Sequence, residues 1–234
     1  MKRITIYITV IFLIFVVGCS AGIENSAVNS ILDSPMPGKG ISIQSLEEFE
    51  EMKAMVTESD QNQLNKYLQR FNGSGIEKND LETFVALVES IPYINLIDGK
   101  ISWISYSTGT SQDTGLTHKV LYVTAKASNG DWVRLEYLLS EKDVAGKIAK
   151  ESAEEKDTSL ITTPIRNQDG KITLHTETRE KHPSDPGDVI SWVANVDGIF
   201  TRVTYYTTNA SKVDTASLLG ELQITGISAN DAKQ

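Results

Sequence analysis

The N-terminal third of the chain carries hydrophobic residues at helical spacing. Through the segment 41–92, apolar side chains recur every three or four residues in successive runs, which is the period of amphipathic α-helices. Ser45 and Glu48 have the spacing of a capping box, in which each side chain accepts a hydrogen bond from a backbone amide at a helix start. The segment is therefore predicted to be helical and to pack on the body of the protein.

After Pro92 the period falls toward two, which is typical of β-strands with one buried side. The pattern Gly-x-aromatic-x-Arg-aliphatic-x-Tyr begins at Gly130 and begins again at Gly198. An Asp-Gly-Lys-Ile turn precedes each copy, with its glycine at Gly99 and at Gly170. Matched motifs at similar separations indicate an internal duplication.

The turns also predict how the strands pair. Strands joined by tight hairpins pair antiparallel, because parallel pairing needs a longer crossover. We expect an α+β protein in which N-terminal amphipathic helices precede two tandem β-β-β-α-β repeats that form a mainly antiparallel sheet. A single curved sheet with helices on one side is the preferred arrangement, and two sheets are the alternative. The repeats are 93–165 and 166–228, and a tail, 229–234, follows them.

Composition and charge exclude some functions. The chain is 40% hydrophobic and 23% charged, which is ordinary for a globular protein. Its formal net charge is -9. Proteins that bind the phosphate backbone do so with clustered lysine and arginine, so no nucleic-acid partner is expected.

The extreme N-terminus has the organisation of an export signal. The basic residues Lys2 and Arg3 precede an apolar run from Ile4 to Val17, which ends at Gly18 and Cys19. As a helix this run would be about 21 Å long, which is shorter than the roughly 30 Å hydrocarbon core of a bilayer. It is predicted to be the hydrophobic region of a signal peptide.

These residues resemble the precursors of bacterial lipoproteins, in which a small residue precedes the cysteine that receives the lipid. The resemblance covers residues 1–19 only. It implies a signal peptide over 1–18, cleavage between Gly18 and Cys19, and a diacylglyceryl group on the cysteine. The lipid would hold the protein on a bacterial cell membrane or outer membrane, with its body outside the cytoplasm. The alternative is a plain secretory signal or an uncleaved anchor. The segment 19–40 is predicted to be the lipidated cysteine and a flexible tether.

The duplicated strands present an aromatic residue and an arginine on the same side of the sheet. Trp132 and Arg134 form this pair in the first copy, and Phe200 and Arg202 form it in the second. Residues so placed are close enough for cation–π attraction. They are predicted to form a ligand face that grips a planar, glycan-like or anionic ligand. The alternative is a stiffened sheet surface or a face covered by the helices.

A polar cluster in the second copy carries the candidate metal ligands His175, Glu177 and His182. Imidazole and carboxylate groups bind metal ions, but the spacing of these residues matches no closed site. No metal and no cofactor is therefore predicted.

The sequence has no reaction motif. It contains no phosphate-binding Gly-Lys-Ser/Thr loop and no Gly-x-Ser-x-Gly elbow, so no catalytic residue is assigned and the protein is predicted not to be an enzyme. Trp103 and Trp192 lie in alternating apolar strands and are predicted to lie in the core. The leading hypothesis is a ligand-binding or sensor domain for a small molecule, a glycan or an envelope protein. The alternatives are a structural or assembly protein of the envelope and a hydrolase whose site is built from distant residues.

Overall fold

The structure is a computed structural model. It describes residues 31–32, 34–57, 61–71, 75–110, 117–139, 159–181, 187–209 and 212–227. The signal peptide, Cys19, most of the tether, the helix predicted within the repeat 93–165, the tail 229–234 and the candidate ligand His182 lie outside these residues.

Four α-helices and ten β-strands form the part of the chain that the structure describes. The helices are α1 (Leu46–Thr57), α2 (Gln61–Leu68), α3 (Lys78–Ser90) and α4 (Thr215–Glu221), and a 3-10 helix, Gln69–Phe71, follows α2. The strands are β1 (Ile41–Ile43), β2 (Tyr93–Ile94), β3 (Gly99–Thr110), β4 (Thr117–Ala127), β5 (Trp132–Leu138), β6 (Ser159–Arg166), β7 (Ile172–Lys181), β8 (Asp188–Val196), β9 (Ile199–Thr207) and β10 (Ile224–Thr225). Among these helices none is long and apolar enough to cross a bilayer.

Eight strands form one sheet in the order β1-β3-β4-β5-β9-β8-β7-β6. Every strand pair that the structure describes is antiparallel. The predicted α+β class with a large, mainly antiparallel sheet is therefore confirmed, and a single large sheet holds strands from both 93–165 and 166–228. The strand β6 pairs with β7, while β10 pairs with β2 in a small separate sheet.

The strands β5 and β9 join the two halves of the large sheet. Each is the last strand of a three-stranded meander, β3–β5 or β7–β9, and the two meanders meet side by side. Leu135 lies opposite Val203, and Trp132 lies opposite Tyr206. No local turn sets this pairing, because the two strands are far apart in the sequence.

The first strand of each meander contains a β-bulge. The register shifts between Ile101 and Trp103 in β3, and between Leu174 and Thr176 in β7. One extra residue in a strand turns the following side chains to the other side of the sheet. The side on which Trp103 lies is therefore decided by the bulge.

The two sides of the sheet differ in burial. On β5, Val133, Leu135 and Tyr137 are at most 1% exposed and belong to one hydrophobic core with the helices. We call this side the helix face. On the other side, Trp132 is half-buried and Arg134 is exposed, and we call this side the open face.

The helices add their apolar stripes to the same core. The hydroxyl of Tyr137 donates a hydrogen bond of 2.8 Å to the carbonyl oxygen of Pro92, which follows α3. The residues that α1 buries are Leu46, Phe49, Met52 and Val56. Burial of these side chains against the helix face leaves the open face as the surface on which a site can form.

Candidate functional site

Four aromatic rings lie around Arg134 on the open face. Trp132 stacks on Tyr206 of the neighbouring strand, with ring centroids 5.7 Å apart and an interplanar angle of 8°. Trp103 stacks on Tyr122, with centroids 5.8 Å apart and an angle of 26°. We call these four rings and the arginine the aromatic cluster.

The guanidinium of Arg134 lies between the two tryptophans of the cluster. Its Cζ is 5.7 Å from the ring centroid of Trp103 and 5.9 Å from that of Trp132. Trp103 is itself oriented by β1, because its Nε1 donates a hydrogen bond of 2.7 Å to Oγ of Ser42. Each cation–π contact at an exposed site is worth about 0.5–1 kcal/mol. No ion pair of Arg134 occurs within the described part of the chain, so its charge is not neutralised there.

The second aromatic and arginine pair has a different environment. Arg202 forms an ion pair with Glu136, with 3.5 Å between Nη1 and Oε2. Phe200 stacks on His175, with centroids 6.0 Å apart. The register of β5 and β9 places Trp132 and Phe200 roughly 20 Å apart along the strands. The four residues of the predicted ligand face thus share the open face, but the structure does not bring them into one groove.

A polar pocket of about 250 Å³ opens on the same face beside Arg202. Its lining is rich in hydroxyl groups and charged groups that can exchange hydrogen bonds with a ligand. The polar residues of the lining are Thr176, Thr178, Glu180, Ser191 and Arg202.

One row of side chains connects the aromatic cluster to this pocket. Six neighbouring strands each contribute one residue, and adjacent members lie directly opposite each other in the sheet. Since strands are about 4.8 Å apart, the row is roughly 24 Å wide. From β3 to β7 its members are Trp103, Thr124, Arg134, Thr204, Ser191 and Thr178.

Glu177 takes part in an internal network on the helix face. Its carboxylate accepts hydrogen bonds from Nε of Arg179 at 2.6 Å and from Nε1 of Trp192 at 3.0 Å. It also accepts one from the hydroxyl of Thr215, the first residue of α4. Burial by itself would raise the pKa of Glu177, but the hydrogen bonds from Arg179, Thr215 and Trp192 outweigh it and lower the pKa. The ionised carboxylate therefore ties α4 to the sheet.

The two candidate metal ligands that the structure describes, His175 and Glu177, lie on opposite faces of the sheet. His175 stacks on Phe200 at the open face, whereas the bulge in β7 turns Glu177 to the helix face. Burial, followed by the charge of Arg166, lowers the pKa of His175, so this ring is neutral at pH 7. Within the described ranges, no three His, Cys, Asp or Glu residues are grouped so that they could hold a metal ion.

Replacing Glu177 by glutamine is expected to lower the free energy of unfolding at pH 7 by about 1–2 kcal/mol, because hydrogen bonds to a charged acceptor are lost. Its folded pKa lies below its unfolded value, so this stabilisation is present above about pH 4.3 and disappears as the pH falls through the folded pKa. Thermal unfolding of the full chain in detergent, at pH 7 and at about pH 3, measures the difference.

The matched control for this prediction is Glu180→Gln, which removes an exposed carboxylate on the same strand. This control is expected to change the unfolding temperature little at either pH. Equal effects of Glu177→Gln at both pH values would show that its carboxylate charge does not hold α4.

Three residues of the aromatic cluster were not predicted from the sequence. Trp103 was expected in the core and instead lies half-buried on the open face, because the bulge at Ser102 reverses its side. Trp192 is 2% exposed, which confirms its predicted place in the core. Tyr122 lies between the buried residues Leu121 and Val123, and that alternation is the signal that would have placed it opposite the core. Tyr206 is itself 8% exposed, and its place on the open face follows from its pairing with Trp132.

No known protein family, curated protein or solved structure matches this chain. The binding function is therefore inferred from the aromatic cluster and the polar pocket, and the lipid anchor from the residues that end at Cys19.

Proposed function

We propose that the protein is a lipid-anchored binding domain outside the cytoplasm, and that its ligand binds on the open face. The observation that carries this proposal is Arg134, a cation held between two half-buried tryptophans without a carboxylate partner in the described residues. Aromatic and arginine side chains are enriched where proteins bind partners. The rings and the guanidinium are held in place before a ligand arrives, which lowers the entropic cost of binding.

The anchor is proposed from the lipoprotein-like residues that end at Cys19. In this proposal the lipid attaches the chain to a bacterial cell membrane or outer membrane, and the segment 19–40 is the tether. The tether is followed by β1, whose Ser42 accepts the hydrogen bond from Trp103. The anchored end of the chain would thus enter the sheet beside the aromatic cluster.

We also infer that the meanders β3–β5 and β7–β9 are copies of one unit. Leu135 and Val203 occupy the same place in the two copies of the sequence motif, and they lie opposite each other across β5 and β9. If a two-fold axis between β5 and β9 related the two meanders, equivalent residues of the two strands would lie opposite each other at that axis. Each first strand also carries a bulge. The predicted closing strands β6 and β10 pair differently, so the inference applies to the meanders.

The proposed lipid anchor predicts that lipid is attached to one residue, Cys19. When the chain is expressed in bacteria supplied with labelled palmitate, it is expected to carry the label and to sediment with membranes. Cys19→Ser should carry no label, because Cys19 is the only cysteine in the sequence. Mass spectrometry of the purified chain gives its N-terminal residue. An unlabelled chain, or one that begins at a residue other than Cys19, would overturn the anchor.

Binding at the aromatic cluster predicts a loss of binding in one variant. The detergent-solubilised chain is screened by thermal shift against glycans, nucleotides, peptides, lipids and divalent metals. A ligand at 100 times its Kd should add about 2.7 kcal/mol to the free energy of unfolding, which raises the unfolding temperature by roughly 5–10 °C. Trp132→Ala should abolish this shift, because it removes one of the two rings that flank Arg134.

Phe200→Ala is the matched control, since it removes an aromatic ring from the same face roughly 20 Å away. It is expected to leave the shift in place. A shift that survives Trp132→Ala would place the ligand elsewhere, and the absence of any shift across all classes would count against a binding domain.

A further inference from the structure

We propose that the ligand of the open face is an acidic saccharide, a chain of sugar rings that bear carboxylates. One ring would lie against the aromatic cluster, and its carboxylate would pair with Arg134. The chain would continue across β9 toward the polar pocket. This inference rests on the proposed function and names the chemical class of its ligand.

Charge supports an anionic group at Arg134. The chain has a formal net charge of -9, yet this arginine has no ion-pair partner in the described ranges. Arg202, by contrast, lies directly opposite Glu136 in the sheet and forms an ion pair with it at 3.5 Å. A guanidinium binds a carboxylate through two parallel hydrogen bonds. Arg134 is thus the cation of the two that is available to a ligand.

The surroundings of Arg134 suit a sugar. A sugar ring has an apolar face that packs on aromatic rings and a rim of hydroxyl groups that need hydrogen-bond partners. The open face supplies rings at Trp103 and Trp132 and hydroxyl groups farther along the row, at Thr204, Ser191 and Thr178. Hydroxyl side chains both donate and accept hydrogen bonds. The combination matches a polyhydroxylated chain better than a wholly apolar ligand.

The carboxylates of the protein limit how much negative charge the ligand can carry near Arg134. Glu136 lies on the same strand and the same face, and Glu180 lines the pocket. A phosphate-rich ligand such as a nucleotide would place several charges near these carboxylates, and like charges repel. The carboxylates of an acidic saccharide are spaced at least one sugar ring apart, so only one of them lies beside the aromatic cluster, where the guanidinium of Arg134 matches it.

The width of the face fits an extended ligand. The row from Trp103 to Thr178 crosses six strands, or roughly 24 Å. The pocket of about 250 Å³ lies at the far end, beside Arg202. A chain of several sugar rings can contact both the aromatic cluster and the pocket, whereas a single ring can contact only one of them.

The test compares each acidic saccharide with a neutral form of the same chain. The probes are oligomers of galacturonic acid, oligomers of mannuronic acid and a hyaluronan fragment, each with its methyl ester, titrated calorimetrically into the detergent-solubilised full chain. At least one acid should bind, and its ester should bind about tenfold more weakly, which corresponds to one lost charged hydrogen-bond pair. Added salt should weaken the binding of the acid and leave the binding of the ester unchanged.

Variants separate charge from ring contact. Arg134→Gln should lower the affinity for the acid by about tenfold and leave the affinity for the ester unchanged. Arg134→Lys should have an affinity for the acid between those of the wild type and Arg134→Gln, because lysine keeps the charge without the planar guanidinium. Trp132→Ala should weaken acid and ester together. The matched control is Arg70→Gln, which removes a guanidinium that lies 5.1 Å from the ring centroid of Tyr67 in the 3-10 helix after α2. It should leave the affinity for the acid unchanged, because Arg70 is not on the open face.

The outcomes distinguish this inference from the function on which it rests. If an ester bound as tightly as its acid, the inference of an acidic ligand would be wrong, but the proposal that the open face binds a ligand would stand. The same holds if no acidic saccharide binds but another class of compound gives a shift that Trp132→Ala removes. If neither saccharides nor any other class binds, the inference and the proposed function both fail.

Discussion

Replacing Trp192 by alanine is expected to lower the free energy of unfolding by about 3–5 kcal/mol, the usual cost of truncating a large buried aromatic residue. Its side chain is 2% exposed and stacks on Tyr205, with ring centroids 6.3 Å apart. Its Nε1 donates to Glu177, which in turn accepts from Thr215 at the start of α4. The truncation therefore leaves a cavity and also weakens the attachment of α4. Urea unfolding of the full chain in detergent measures the loss.

Two variants bracket this prediction. Trp192→Phe keeps a ring in the core and loses the donor to Glu177, so it should cost about 1–2 kcal/mol. Trp103→Ala removes a tryptophan from the open face and is expected to cost less than about 1 kcal/mol, because a half-exposed side chain leaves no cavity. If Trp103→Ala were as harmful as Trp192→Ala, the open face would be covered in the native protein, and the binding proposal would lose its surface.

Replacing Asp131 by alanine is expected to lower the free energy of unfolding by about 2–4 kcal/mol, since hydrogen bonds to a charged acceptor are lost and buried donors are left unpaired. Asp131 is 8% exposed and lies just before β5. Its Oδ2 accepts from the hydroxyl of Tyr205 at 3.3 Å, from that of Thr207 at 3.2 Å and from Nδ2 of Asn129 at 3.2 Å. The side chain therefore links the turn between β4 and β5 to β9.

Asp131→Asn is the matched control because it keeps one oxygen for these donors. The Oδ1 of Asp131 is buried and has no hydrogen-bond partner among the described residues, so an amide group can take its place. The asparagine variant is expected to stay within about 1 kcal/mol of the wild type. An equal loss in both variants, measured by urea unfolding, would mean that the negative charge and not the acceptor stabilises this junction.

The difference between the two arginines bears on how many ligands the open face can hold. Arg134 and Arg202 occupy the same place in the repeated motif. Only the first lies between two tryptophans within the described ranges, and only the second pairs with Glu136 there. If the meanders are copies, one copy has kept a cation for a ligand and the other has used its cation within the sheet. We therefore expect one ligand chain for each protein molecule.

The sequence by itself determined the local structure of the chain. Leu46, Phe49 and Met52 are spaced for one side of a helix, and α1 buries all of them. Asp197 and Gly198 have positive φ values of 47° and 93°, as a tight turn between paired antiparallel strands requires. Helical spacing and turn chemistry depend on residues that are neighbours in the chain, so a reader of the sequence can recognise them.

Identical motifs can nevertheless serve different physical ends. Gly170 has a φ of +72° and open space around it, whereas a Cβ at Gly99 would meet the carbonyl oxygen of Lys126 at 2.7 Å. The first glycine serves a turn conformation, and the second permits the close approach of a neighbouring strand. The Asp-Gly-Lys-Ile motif predicts a turn in both places and cannot distinguish these roles.

The tertiary structure alone decided the composition of the candidate site. A bulge in β3 moves Trp103 to the open face, and a bulge in β7 separates His175 from Glu177. The pairing of β5 with β9 places Trp132 beside Tyr206 and far from Phe200. The alternation of hydrophobic and polar residues predicts the face of the sheet on which a side chain lies only while no bulge interrupts the strand. The pairing of strands that are distant in the sequence depends on the packing of the whole sheet.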